Sequence, residues 1–291
     1  AAGNAGAGAL YAEDVFSTYL YTGTSTSPNT ITNGIDLADS GGLVWLKTRT
    51  AGFSHTLFDT ERGVNKELYS DDAGAEGTGT SLTAFNSDGF TLGTTSILYN
   101  SSSYNYASWT FRKAEKFFDV VKWTGDDTAS RQLSHGLNAT PGLFIIKNLT
   151  AADPWIVWHK DLGDFAGAGK NLILNTVDAA DTGNLVGTLA EQTSTYITVK
   201  KDVTKINYDG HEYIAYLFAS DAGGFGDDGS ESIIKCGSVT TGDVSTDVDV
   251  NLGFEPQWIL MKNSGAASQW FLVDTMRGWV SPTGVTNQAK P

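Results

Sequence analysis

Short runs of alternating apolar and polar residues recur along this chain. Val44 and Leu46 fall on one side of an extended segment, as do Phe144 and Ile146, and Ile259 and Met261. A second short run follows each of these: Thr56 and Phe58, Ile156 and Trp158, Phe271 and Val273. A period of two is the signature of strands, and a short polar stretch between two such runs predicts an antiparallel hairpin. Asn86-Ser87-Asp88-Gly89 and Tyr208-Asp209-Gly210-His211 read as further hairpin turns. No segment carries a sustained helical stripe, so the pattern predicts an all-β protein of short strands and tight turns.

The runs also repeat as a set. Gly42-Leu43-Val44-Trp45-Leu46-Lys47 returns as Gly142-Leu143-Phe144-Ile145-Ile146-Lys147 and as Gln257-Trp258-Ile259-Leu260-Met261-Lys262. Twelve residues after these lysines stand Asp59, His159 and Asp274, and sixteen after them Gly63, Gly163 and Gly278. Arg62 and Arg277 precede two of those glycines, while Leu162 precedes the third. Downstream, Tyr106-Ala107-Ser108-Trp109-Thr110-Phe111 matches Tyr213-Ile214-Ala215-Tyr216-Leu217-Phe218.

The expected organisation is a flexible Ala/Gly-rich arm over 1–13, β-sandwich repeats over 14–112 and 117–219, a Gly/Asp linker over 220–230, and the start of a third sandwich over 231–291. About 100 residues is enough for one stable core. Each unit is expected to be an antiparallel sandwich of jelly-roll or concanavalin A-like type. The third copy lacks a closing Tyr-x-x-aromatic strand, which leaves an open edge. The expectation is therefore that the polypeptide continues past Pro291 or that another chain completes the unit.

Composition narrows the partners. The 291 residues carry 19 basic and 33 acidic side chains, a net charge of -14, which would repel phosphate backbones and argues against nucleic acid. No apolar run is long enough for a membrane helix, so no membrane insertion is expected. The N-terminal stretch has no basic segment followed by an apolar core, so it does not read as a signal peptide. A single cysteine, Cys236, excludes an internal disulfide. It lies in an alternating apolar segment and reads as a packed thiol.

Candidate chemistry is sparse. His55, His135, His159 and His211 have no metal-ligand spacing, and no nucleophile elbow, phosphate loop or dinucleotide fingerprint is present. Asp59 and Asp274 recur, which suits a structural acid better than a catalytic one. Gly223-Gly224-Phe225-Gly226-Asp227-Asp228 resembles one turn of a calcium-binding nonapeptide, so Asp221, Asp227 and Asp228 are weak calcium candidates beside the simpler linker reading.

Eight residues after the repeated lysines come His55, Trp155 and Trp270. With Lys47, Lys147 and Lys262 they form a candidate surface for glycan stacking and cation–π contact, or else a face that packs under another sheet or subunit. The sequons at Asn100, Asn138 and Asn148 are the number chance supplies in a chain rich in Ser, Thr and Asn. The reading calls for no cofactor and no enzyme activity. A glycanase, whose paired carboxylates leave no local motif, is ranked last.

The strings GLVWLKTRTAGFSHTLFDTERGV, SLTAFNSDGFTLG, FDVVKWTGDDTASRQLSHGLNATPGLFIIK, YIAYLFASDAGGFGDDGSE and LGFEPQWILMKNSGAASQWFLVDTMRG resemble a repeat family in virion proteins of marine tailed bacteriophages. Its members are described as tail-fibre-like or as concanavalin A-like lectin/glucanase-fold proteins. The resemblance runs from about Val15 to Trp279 and implies β-sandwich modules in multimeric appendages on the virion surface. It implies other virion proteins as partners, homo-oligomerisation and contact with a host-surface glycan, and it supplies no catalytic residue. A capsid decoration or head fibre, and a carbohydrate-binding module, are the alternatives.

Overall fold

The computed structural model describes residues 8–201, 205–242 and 247–278. Within them the chain is all-β, with antiparallel pairing throughout. The first repeat contributes β1 (Phe16–Thr22), β2 (Asn29–Thr32), β3 (Gly42–Thr48), β4 (Thr56–Asp59), β5 (Lys66–Tyr69), β6 (Gly77–Thr78), β7 (Leu82–Asn86), β8 (Gly89–Leu92) and β9 (Asn105–Arg112). One sheet runs β1-β9-β3-β4-β5-β6, and β2-β8-β7 forms the sheet facing it. Ile31, Val44, Leu46, Phe58, Leu82 and Phe90 close the core between the two.

The second repeat contributes β10 (Phe118–Thr124), β11 (Ser130–Ser134), β12 (Pro141–Asn148), β13 (Ile156–His159), β14 (Asp164–Phe165), β15 (Ala168–Ile173), β16 (Asp181–Val186), β17 (Tyr196–Lys200) and β18 (Glu212–Ala219). Its order, β10-β18-β12-β13-β15, reproduces β1-β9-β3-β4-β5 strand for strand, and the sheet continues through β16-β17-β11. Phe144, Ile146, Trp158, Ile197, Val199 and Leu217 fill its core. Among the described residues the third repeat contributes β19 (Trp258–Lys262) and β20 (Trp270–Asp274), paired with each other. All three post-lysine hairpins expected from the alternation are present.

One-sided burial was the simplest reading of that alternation, and the sheets depart from it. In β3, Val44 and Leu46 face their own sandwich, while Leu43 and Trp45 enter a second core shared between repeats. In β18, Tyr213, Ala215 and Leu217 face inward, while Ile214, Tyr216 and Phe218 join the shared core. Strands buried on both faces read as near-continuous apolar runs, which explains sequences such as GLVWLK and YIAYLF. Each large apolar side chain taken fully out of water here contributes roughly 1.5–3 kcal/mol. Trp109, Trp155 and Tyr216 in the shared core therefore bind the repeats to one another strongly.

The segments between repeats are tied down as well. Residues 220–230, expected as a linker, fold back so that Phe225 is buried and bonds Glu231 in both directions. Gly223, Gly224, Gly226 and Gly229 take φ of +66, +99, +78 and +71°, the left-handed region this tight loop requires. The expected N-terminal arm lies partly outside the described residues. Its described part docks on the same loop, with the Leu10 carbonyl accepting from Gly226 and the Tyr11 hydroxyl donating to Asp227. At Tyr208–His211 the turn is present but the hairpin is not, because β17 pairs with β11 and β16 rather than with β18.

Candidate functional site

The two repeated acids build the same local structure. Asp59 ends β4 and accepts the Arg62 backbone N–H on Oδ1 at 2.9 Å, and Asp274 ends β20 and accepts that of Arg277 at 2.8 Å. Each caps a short turn that closes on a glycine with positive φ, +85° at Gly63 and +95° at Gly278. The arginine then folds back over its own cap. Arg62 Nε and Arg277 Nε each meet the acid's Oδ2 at 2.5 Å. Their terminal nitrogens donate to the Leu57 and Leu272 carbonyls at 2.8 and 2.6 Å. Burial alone would favour neutral Arg62, but the adjacent Asp59 outweighs it and raises its pKa.

A second acceptor site on the Oδ2 of each acid faces another repeat. Tyr216, on β18 of the second repeat, donates its hydroxyl to Asp59 Oδ2 at 2.7 Å. Trp109, at the matching position on β9 of the first repeat, donates Nε1 to Asp274 Oδ2 at 3.0 Å. Arg277 also lies over the Trp109 ring, 5.0 Å from its centroid. Burial, reinforced by the Asp59 carboxylate against the pull of Arg62, holds the Tyr216 phenol well above its ordinary pKa. It therefore stays a donor. The acids are receptors for the second aromatic of the Tyr-x-x-aromatic strand of a neighbour.

The aromatics eight residues after the lysines form a second class of contact between repeats. Trp155 donates Nε1 to the Tyr69 carbonyl of β5 at 2.9 Å, and Trp270 donates to the Ile173 carbonyl of β15 at 2.9 Å. Tyr69 and Ile173 are equivalent, since they pair with Thr56 and Ile156, the matching positions of β4 and β13. A backbone bond accompanies each indole. The Glu76 N–H donates to the Leu149 carbonyl at 3.0 Å, and that of Ala180 to the Ser264 carbonyl at 2.9 Å.

These contacts correct the glycan surface. Trp155 is 0% exposed, so no sugar can stack on it, and the alternative of a face packed under another sheet holds there. Among the described residues the lysines make no cation–π contact, because they turn to the carbonyls of their own hairpin loops. Lys47 donates to Phe53, Lys147 to Asn148 at 2.7 Å, and Lys262 to Asn263 at 2.7 Å. Burial lowers the Lys147 pKa to about 8, with Asp153 and Asp72 opposing the shift.

Three of the six candidates do meet. Lys47, His55 and Trp270 line one cleft of about 790 Å³ where the first repeat, the end of β15 and the third hairpin converge. That volume is within the range of ligand pockets. His55 Nδ1 accepts from Trp45 Nε1 at 3.0 Å, and its ring stacks on Trp109. Burial, with Lys47 and Arg277 adding repulsion, lowers its pKa to about 3. His55 is therefore neutral, and because Nδ1 accepts, the proton sits on Nε2.

The other candidates are engaged separately. Asp221 pairs with Lys235, Asp227 accepts from Tyr11, and Asp228 accepts from Ser230. Among the described residues no three His, Cys, Asp or Glu side chains are grouped to hold a metal. Burial pushes the Cys236 thiol up to about 12, which leaves it protonated.

The residues that sequence reading missed are Trp109 and Tyr216. Their repetition was visible, but their partners lie 165 and 157 residues away, and no spacing rule reaches that far. No curated protein and no solved structure matches this chain. A family model does, over residues 12–290, nearly the whole length over which these seams recur: the chain belongs to the family described as Domain of unknown function (DUF7483).

Proposed function

We propose that this chain is a structural, non-enzymatic component of a bacteriophage virion, a tail fibre or similar multimeric appendage whose outer surface contacts the host cell. The observation that carries the reading is the use made of the repeated residues. Asp59, Asp274, Trp155, Trp270, Trp109 and Tyr216, the side chains a glycanase or lectin would place in a groove, serve the seams between repeats. A protein whose repeating chemistry is spent on cohesion is built to hold a shape. The resemblance of its repeats to marine phage virion proteins supports the same reading, and the net charge of -14 suits an exposed particle component.

Reconstruction of a particle that carries this chain tests the proposal. Copies in a trimer or hexamer projecting from the tail support it. Copies spread over the capsid lattice make the chain a decoration protein, and the host-contact role falls. Chains found only in the soluble fraction of infected cells refute the virion assignment altogether.

A carbohydrate-binding reading has one observation in its favour: the cleft that holds Trp270 beside Lys47, Asn175 and Gln269. It requires saturable binding of a host polysaccharide that is lost in Trp270→Ala. Binding that survives this change excludes the cleft as a glycan site.

A further inference from the structure

The cleft where the first repeat, the end of β15 and the third hairpin converge runs against the charge of the molecule. The chain carries 33 acidic and 19 basic residues. The cleft is lined by Lys47, Arg49 and Arg277 against one acid, Asp71. Only the first repeat places two cations at the start of this hairpin loop. Lys47-Thr48-Arg49 stands where the others have Lys147-Asn148-Leu149 and Lys262-Asn263-Ser264.

These cations also have capacity to spare. Lys147 is fully buried and donates to the Asn148 and Ala151 carbonyls, and Lys262 donates to those of Val177, Asn263 and Ala266. Lys47 is half-buried, and among the described residues it donates only to the Phe53 carbonyl, which leaves ammonium protons for a ligand. Among the described residues neither Lys47 nor Arg49 makes an ion pair. Arg277 spends Nε on Asp274 and Nη2 on the Leu272 carbonyl, and its Nη1 has no partner among the described residues. Burial lowers the Lys47 pKa; Asp71 opposes the shift and Arg277 adds to it, so the two cations lie within each other's field. An anion held by both relieves that repulsion.

Neutral groups complete the lining. His55 Nδ1 accepts from Trp45, which leaves Nε2–H as an uncharged donor. The Trp270 indole is fixed by its bond to the Ile173 carbonyl and forms a rigid wall, with the Asn175 and Gln269 amides beside it. An apolar ring, a few orienting polar groups and unspent cations are the means by which a cleft selects a ligand that is both cyclic and anionic.

We propose that this cleft binds an acidic polysaccharide, with a sulfate or carboxylate group held by Lys47 and Arg277 Nη1, a second such group met by Arg49 at the rim, and a sugar ring against Trp270. The inference rests on the carbohydrate-binding reading of the cleft given above and adds the ligand's charge to it. Sulfate esters and uronates share the oxyanion chemistry, and the choice of probes separates them.

The probes are a κ-carrageenan hexasaccharide, its chemically desulfated form and an alginate hexasaccharide, titrated calorimetrically into the full chain. At least one acidic oligosaccharide should bind about tenfold or more tightly than the desulfated one, the scale of a hydrogen bond to a charged group. Added salt should narrow that difference, because it screens the charges. Lys47→Gln should weaken the acidic ligand about tenfold and leave the desulfated one unchanged. Arg49→Glu, on an exposed side chain, should weaken the acidic ligand without altering the melting temperature, and keeps the test decisive if Lys47→Gln disturbs its loop. Equal affinity for sulfated and desulfated chains overturns this inference and leaves the carbohydrate-binding reading standing. Acidic binding that survives both variants places the ligand elsewhere and overturns it equally. No binding of any oligosaccharide at millimolar concentration, or binding of inorganic sulfate alone as an adventitious ion only, ends both readings of the cleft.

Discussion

Asp59 and Asp274 are the same acid in two different situations. Both end the second strand of a hairpin, both cap a turn closed by a left-handed glycine, and both hold an arginine three residues on. Around Asp59 two complete sandwiches meet, and neither side chain of its ion pair is exposed to solvent. Around Asp274 a complete repeat meets the β19–β20 hairpin, and the Arg277 side chain is 24% exposed. The difference teaches that the acid–arginine pair does not itself make a seam. It is a socket, and its worth depends on how much apolar surface the inserted aromatic brings with it.

The largest expected effect is at the closed seam. Asp59→Ala leaves Arg62 buried beside the Tyr216 hydroxyl without its carboxylate, and removing one partner of a buried pair costs about 3–5 kcal/mol. Chemical denaturation should show that loss as a lower midpoint, with the first two repeats still unfolding together. A loss below about 1 kcal/mol would mean the pair is solvated in solution. Trp109→Phe acts on the open seam. It removes the Nε1 bond to Asp274 and weakens the Arg277 contact, an expected cost of roughly 1–3 kcal/mol. Its effect should be local, with amide exchange over 258–274 speeding up before that of β3 or β12. Uniform acceleration through the chain would show that the hairpin is no separate unit of stability.

How much of this was legible follows from the range over which each rule acts. Strand type, the three hairpins and the repeat were readable because period-two alternation and lysine-anchored spacing are local. The second core was not. An apolar run such as Gly42-Leu43-Val44-Trp45-Leu46 fits a strand buried on one face or on both, and only the neighbour decides. Trp155 illustrates the same ambiguity. A tryptophan at a repeated outward position could be a sugar platform or a seam, and the β5 carbonyl that settles it belongs to another repeat. The Gly/Asp stretch misled for a different reason. Glycine content signals turn geometry, and a tight turn can be anchored by one buried residue, here Phe225.

Acid should loosen the open side further. The His55 pKa lies at about 3 in the folded chain against an ordinary 6.5, so below pH 6.5 the unfolded chain takes up a proton that the folded one refuses. That contribution to stability is whole above pH 6.5 and is lost progressively as pH falls toward 3, at about 1.4 kcal/mol per pH unit. Protonation also removes the acceptor that Trp45 uses. His159 and His135, lowered chiefly by burial, add to the same slope. His55→Gln should flatten the dependence of stability on pH between 6 and 4, measured by denaturant midpoints. An unchanged slope would mean His55 is protonated freely in the folded state.

The smallest effect is expected where the comparison is most exposed to failure. His159 and Leu162 stand at the socket positions of the second repeat, where no Tyr-x-x-aromatic strand is seated among the described residues. The double change His159→Asp with Leu162→Arg writes the Asp59–Arg62 pair into that site. Without an inserted aromatic the new pair stays partly solvated, and such pairs contribute about 0–1 kcal/mol. Melting curves of the double variant should therefore superpose closely on those of the parent, although the same two residues are worth several kcal/mol at the closed seam. A destabilisation as large as that of Asp59→Ala would mean that this socket is already filled and dry. A near-zero change would establish that the neighbour's aromatic, and not the ion pair, carries the cohesion between repeats.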